Sequence, residues 1–553
     1  HLCGREGWHE IFFRELLELL ADCNDANHGY QSAIFQHRVV FPVVINICRN
    51  LGVFFVLPGK SHNVKGGESV LRLNNYLVLC AVFVPSAVLA KDVAVIVGGG
   101  NYARGSQVSI ERNTLWVKKI IEQKSRYRKT YLFYGSGPKG LPDVMVRKPV
   151  GQGNYPTEAL ARVFGEEKQN RESYRKSSVP GNISNTQVDN LKDRLRKVFA
   201  SLKSGDTLFF IYQGHGGYDQ SDRQDNYLKL WQVTRLHVSE LNALFNGIAK
   251  DVRIVFVFPQ CYSGAFADLM YADPAERTVL NKQTRCGFLS QRRDREAEGC
   301  TASVNSSDYR DYSTFFFAAL DGKTRTGKPL AGNPDKNGDG VVSLREAHLY
   351  ALEYSESADL SRSTSEVYLE RWLPWYARWN TGGALKDNDY SRIADSLAQR
   401  IGLQADTSRY LRRVLPRRSD LKKRRQRLEQ ERDQLTSEEK GLQKKIQNGL
   451  AARWPELDYP YTNNYLKLMQ RHAKEVDRAI RMNQSYPHLK SIQARLVAIE
   501  DKLLVLLRED VQLEKLYRMR KLSRIKSLFN RSASDHARKA YDRLLKCEQT
   551  ALR

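Results

Sequence analysis

Two side chains able to do covalent chemistry stand at the ends of apolar runs. In TLFFIYQGHGG (207–217) the run ends in His215, followed by Gly216, and in VRIVFVFPQCYSGAF (252–266) it ends in Cys261, with Gly264 close behind. An imidazole beside a thiol is the pairing a cysteine nucleophile needs: the imidazole takes or holds the thiol proton, and the thiolate attacks a carbonyl. A general base of this kind contributes about 10²–10⁴-fold in rate. The neighbouring glycines let backbone N–H groups approach the oxyanion that develops. A lone His or Cys in a strand is more often structural, but both together, in this order and each closing an apolar run, favour the chemistry. His237, in RLHVSEL, is the other base candidate between residue 91 and Cys261, and its helix-start context suits it less.

Strands have to deliver both groups to one place. Leu208 to Tyr212 and Val252 to Phe258 have the length and the aromatic and β-branched content of strands covered on both faces. Around them DVAVIVGGG (92–100) reads as a strand into a glycine turn, Glu111 to Gln123 as a helix, and TYLFYG (130–135) as a strand. Gln187 to Leu202 reads as a helix, Ser239 as the cap of a helix to Lys250, and TRCGFLS (284–290) as a further strand. This alternation predicts an α/β fold with a mostly parallel sheet flanked by helices on both faces. Sites in such sheets gather at the carboxyl ends of the strands.

At these residues the chain resembles the caspase–hemoglobinase clan of cysteine peptidases, which includes caspases, metacaspases and legumains. The likeness rests on His215-Gly216 and Cys261-Tyr262-Ser263-Gly264, spans roughly residues 92 to 355, and is nearest the bacterial legumain-like branch. It implies a caspase-like sheet, Cys261 as nucleophile, His215 as general acid/base, and an oxyanion hole from the backbone N–H groups of Gly216 and Cys261. It also points to Glu111 and Asp294 as side chains that select a basic or amide residue before the cut, with Arg292, Arg293 and Arg295 arguing for an acidic one. One departure is Pro259, two before the Cys, where the clan commonly has an acidic residue or Gln; here Gln260 adjoins the Cys.

A third motif is DKNGDGVVSLRE (335–346). Asp335, Asn337, Asp339, Ser343 and Glu346 occupy the oxygen-donor positions of a calcium loop, Val341 offers its carbonyl, and Gly340 makes the turn. The entering segment GKPLAGNP is too irregular for a full EF-hand. The expectation is one Ca²⁺ site of affinity on the order of 10⁻⁴–10⁻³ M, and no organic cofactor.

Beyond residue 380 the composition changes. Leu421, Leu428, Leu435 and Leu442 recur every seven residues, and Ile492, Leu496, Ile499, Leu503, Leu506 and Leu513 follow at spacings of four and three. This is a coiled-coil pattern, suited to an antiparallel hairpin or to self-association. From residue 401 onward there are 36 Lys/Arg against 19 Asp/Glu, so much of the +26 net charge lies here. Acidic surfaces or polymers are the implied partners, although a solvated helix face explains the charge as well. A nucleic-acid role has charge as its only support.

The beginning of the chain reads differently. VLRLNNYLVLCAVFVPSAVLA (70–90) has the layout of a secretory signal peptide. Residues 1–69 are therefore expected to be untranslated upstream sequence, with the mature protein starting near Lys91. No run reaches the length of a membrane span, so no transmembrane anchor is expected. In an oxidising compartment the spacing of Cys286 and Cys300 allows a short disulfide loop, although two buried free thiols read the same way. The expected organisation is a peptidase-like domain over 91–380 and a basic helical coiled-coil region over 381–553. The expected function is an exported bacterial cysteine endopeptidase, periplasmic or secreted, acting on protein or peptide substrates. The rival is a catalytically silent scaffold working through its helical arm.

Overall fold

Each apolar run carries too many apolar side chains to leave either face in water, so its strand has to be covered twice. The structure is a computed structural model that describes residues 92–552 except 125–126, 128, 149–154, 166–170, 223, 300–304, 306–308, 375–386, 404–409 and 460–461. All described residues belong to one unit, Leu89–Arg553. The expected upstream segment and signal peptide lie outside them. In chain order the elements are β1 (Val93–Gly98), α1 (Val108–Lys124), β2 (Lys129–Tyr134), β3 (Val144–Arg147), α2 (Glu158–Phe164), β4 (Glu172–Arg175), β5 (Asn182–Ser184), α3 (Val188–Ala200), β6 (Thr207–Gln213), β7 (His215–Gly217), β8 (Tyr227–Leu230) and β9 (Thr234–His237). There follow α4 (Val238–Asn246), β10 (Arg253–Phe258), β11 (Arg285–Leu289), α5 (Tyr312–Asp321), α6 (Leu344–Tyr354), β12 (Arg362–Ser363), α7 (Thr364–Trp372), α8 (Asp389–Arg400), α9 (Tyr410–Ala451), α10 (Asn463–Met482), α11 (Tyr486–Ser532) and α12 (Asp535–Glu548).

Among the described residues a seven-stranded sheet runs β12-β11-β10-β6-β1-β2-β5, parallel except where β12 meets β11. Alternate side chains go to opposite faces. Val95, Phe210 and Phe256 pack under α3 and α4, while Ile96, Phe209 and Val255 pack under α1, α5 and α6. Strand order reverses beside β1, which leaves a crevice at the carboxyl ends of β1 and β6. β6 and β10 pair in register from Thr207↔Arg253 to Ile211↔Val257, so His215 and Cys261 leave the sheet at the same edge. The helix expected from Ser239 to Lys250 instead begins at Val238, capped by His237, and ends at Asn246. Glu240 reaches back to the His237 N–H at 2.9 Å, which fixes the start two residues earlier than a Ser cap would.

The C-terminal region is helical. Arg418 of α9 pairs with Asp510 of α11, whereas Glu431 pairs with Arg495, so the two helices run antiparallel. Their seven-spaced residues meet within one chain: Leu435 packs with Ile492 and Ile499, and Leu421 joins Leu506 and Leu513 in a larger cluster. The other side of α11 meets α7 through charge. Arg518 reaches Glu366 and Glu370, each at 2.8 Å, and His348 Nε2 lies 3.2 Å from Glu366, which is fully buried. Burial acts to raise the Glu366 carboxyl, but Arg518 and His348 outweigh it and hold the group well below the usual carboxylate range.

The chain then returns to the sheet. Cys547 of α12 is disulfide-bonded to Cys286 of β11, which corrects the expected Cys286–Cys300 bridge. Cys286 is buried in the sheet, where α12 supplies its partner; Cys300 lies outside the described residues. Glu548, next along, accepts from the Ser365 N–H at 2.6 Å and the Thr364 hydroxyl at 2.8 Å at the start of α7. No helix among the described residues is long and apolar enough to cross a membrane.

Candidate active site

β7 starts at His215 and pairs with β8, placing Lys229 opposite His215. After β10, which neighbours β6 in the main sheet, Cys261 precedes Tyr262, whose φ of 59° is left-handed and strained for a non-glycine residue. That reversal turns Cys261 out of the sheet toward the His215 loop. A Cβ on Gly216 would come within 2.0 Å of the Cys261 carbonyl oxygen, so only glycine permits this approach. His215 and Cys261 therefore edge a single cavity of about 300 Å³.

Both reactive groups are half-buried, and each has a partner other than its mate. His215 Nε2 lies 2.8 Å from Gln107 Oε1, which fixes the ring. Burial lowers the His215 imidazole below its ordinary value, partly offset by a hydrogen bond with the Gly105 carbonyl. The Cys261 Sγ accepts from the Ala297 N–H at 3.3 Å. Burial pushes the Cys261 thiol up; the Ala297 N–H works against that, while Glu296 and Asp359 add to it. The resting pair is thus a neutral thiol beside a neutral imidazole, an arrangement for general-base activation when a carbonyl arrives.

The structure brings His215, Gly216 and Cys261 together and leaves Glu111 and Asp294 out. Glu111 is buried and held by Arg175 and by the Ser178 N–H at 2.7 Å, and Asp294 pairs with Arg292 at 2.9 Å. Neither lines the cavity, which takes its carboxylates from Glu296, Glu298 and Asp311 instead. The loop arginines are also engaged: Arg293 with Asp268 at 3.0 Å, and Arg292 and Arg295 with Glu514 at 3.3 and 3.2 Å. Sequence reasoning missed Gln107 and Ala297, because both reach the site from loops with no motif of their own. It noticed Gln260 only as a departure. Gln213 Nε2 and both amide atoms of Gln260 are buried at the cavity without a hydrogen-bond partner among the described residues.

In the 335–346 loop Asp335 accepts from the N–H groups of Gly338 and Gly340 at 2.8 and 2.9 Å, and Asp339 accepts from Val341 at 2.8 Å. Gly340 has φ of 82°, the turn a calcium loop requires. Glu346 accepts from the Lys336 N–H at 3.0 Å and caps α6 with Ser343. The oxygens of Asp335, Asn337 and Asp339 thus sit on one turn closed against Glu346. Among the described residues no group of three or more His, Cys, Asp or Glu converges as metal ligands.

No protein-family model matches the chain. It is similar to metacaspase-2 of Trypanosoma brucei brucei (strain 927/4 GUTat10.1), 26% identical over 155 residues covering 25% of this chain and 44% of that protein. Metacaspase-3 of Trypanosoma brucei brucei matches at 26% over 25% of this chain and 43% of that protein, and metacaspase-5 at 30% over 21% and 26%. The chain spans less than half the length of the curated relatives it matches. Likeness to solved structures is slight: a Geobacter sulfurreducens protein reaches a TM-score of 0.29 at 13% identity, over 49% of this chain and 93% of its own.

Proposed function

We propose that the chain is a cysteine endopeptidase of caspase-like fold that cleaves peptide bonds with Cys261 as nucleophile and His215 as general acid/base. The observation that carries this reading is the shared cavity at the strand ends, where Gly216 abuts Cys261 and His215 is held by Gln107. The distant similarity to metacaspases supports it. When a peptide carbonyl enters, His215 takes the thiol proton as the sulfur attacks, and the backbone N–H groups of Gly216 and Cys261 receive the oxyanion. His215 then protonates the leaving amine, and water, deprotonated by the same imidazole, hydrolyses the thioester. Legumain-like selectivity is not part of the proposal. Glu296 and Asp311 favour a basic residue before the cut, and the unpartnered amides of Gln213 and Gln260 are available to the substrate backbone.

We also propose Ca²⁺ at the 335–346 loop through Asp335, Asn337, Asp339, Val341, Ser343 and Glu346, export of the protein, and self-association through its helices. The test of the main reading is cleavage of a diverse peptide mixture by the protein beside Cys261→Ala and His215→Ala, with calcium and with chelator. Products sharing one residue before the cut, absent in both variants, establish the dyad. No cleavage in any condition favours the silent scaffold. A calcium titration followed by thermal unfolding, repeated with Asp335→Ala, separates metal binding from catalysis.

A further inference from the structure

The loop that touches the nucleophile is held from the far end of the chain. Residues 291–298 follow β11 and fold over the Cys261 turn: Tyr262 N–H donates to Arg295 O at 2.9 Å, and Ala297 N–H reaches Cys261 Sγ. Asn226 Nδ2 holds Arg293 O at 2.8 Å. On its outer side the loop meets α11. Arg508 grips the Glu298 carboxylate, with Nε 3.2 Å from Oε1, and Glu514 takes Arg292 and Arg295. The same helix secures the ledge beneath the loop. Lys515 Nζ bonds Ser355 O at 2.9 Å and Gln512 bonds it at 3.1 Å, while Asp359 accepts the Glu298 N–H at 2.8 Å. Residues 508, 512 and 515 share one face of α11, since spacings of four and three stack on a helix. Charged groups on a half-buried helix face need a compensating role, because burying them is costly unless they are paired.

We propose that Arg508 and Glu514 of α11 are positioning residues for Cys261: by fixing the 292–298 loop, they hold the Ala297 N–H on the reacting sulfur and close the cavity wall. The C-terminal helices are on this account part of the active site. The catalytic meaning of this role rests on the peptidase reading, but its test does not.

The test follows the rate of iodoacetamide alkylation of Cys261 against pH in the full chain, read by mass spectrometry of the Cys261 peptide, with thermal unfolding in parallel. The titratable groups sharing the cavity with the sulfur are His215, Lys229, Glu296, Glu298 and Asp311, and Asp359 acts on it electrostatically; none of them is altered. In Arg508→Gln and in Glu514→Gln the midpoint moves upward, because a hydrogen bond favouring the thiolate is loosened. Arg508→Lys returns it toward the starting value, and Arg495→Gln, which breaks an α11 pair remote from the loop, leaves it in place. An unmoved midpoint in both Gln variants overturns the proposal, as does an equal move in Arg495→Gln. Should Arg508→Gln fail to fold, Glu514→Gln carries the test by itself. A shifted midpoint in a chain that cleaves no peptide overturns the peptidase reading alone; peptide cleavage with an unmoved midpoint overturns the positioning role alone.

Discussion

The strand-end cavity and the α7–α11 contact are both polar places inside a largely apolar unit, and burial acts on them in the same way. At α7, Glu366 is surrounded by Arg518, His348 and its own helix start, and it stays charged. In the cavity, His215 and Cys261 each have a neutral partner and are driven toward their uncharged forms. Asp359 stands between the two cases: burial lifts it to about 7, although it accepts two backbone N–H groups and lies near Lys515. A buried charge persists where its partners are complete, and reactivity is left where they are not.

The sharpest way to break this comparison is Cys261→Ala. Removing the proposed nucleophile is expected to lower kcat/KM by about 10⁴-fold or more, while stability in urea falls by no more than about 1 kcal/mol, the contribution of the sulfur's weak bond with Ala297. Glu366→Gln should do the reverse. Arg518 loses one of its two carboxylate partners and keeps Glu370, a cost of about 1–3 kcal/mol, read by denaturant unfolding, with the pH dependence of Cys261 alkylation unchanged.

A subtler expectation concerns pH. Burial disfavours the imidazolium of His215, so the neutral base persists below the ordinary value of 6.5 and the acid limb of kcat/KM falls below that value. An acid limb above it would mean that burial does not govern the His215 imidazolium. The smallest effect belongs to an exposed pair on α9, Arg432 with Asp433 at 2.8 Å. Asp433→Asn should change stability by about 0–1 kcal/mol, and less at high salt.

The sheet and its two reactive ends were legible because apolar runs bounded by glycine carry their own geometry: length, burial on both faces and an abrupt exit. Gln107 and Ala297 were not, since a single amide or a backbone N–H becomes functional only when a loop sets it against a ring or a sulfur. Glu111 illustrates the opposite error. Its place after the first strand suggested a pocket, but Arg175 and Ser178 draw the carboxylate inward. The disulfide was misread for a related reason. Spacing along the chain favoured Cys300, whereas the partner of Cys286 is set by which helix covers β11, and that helix comes at the chain's end. The heptad-spaced leucines announced a helix pair, but not that another face of α11 would carry the charges that meet the 292–298 loop.

The Cys286–Cys547 bond makes a covalent ring of everything between those residues, from the loop over Cys261 to the last helix. A single cut anywhere inside that ring opens it without releasing a piece, so a clipped molecule would migrate as intact until a reductant is added. If the protein trims itself there, comparing reduced with unreduced gels exposes the event. Within the ring, self-processing can change the shape of the molecule without changing its mass by more than one water.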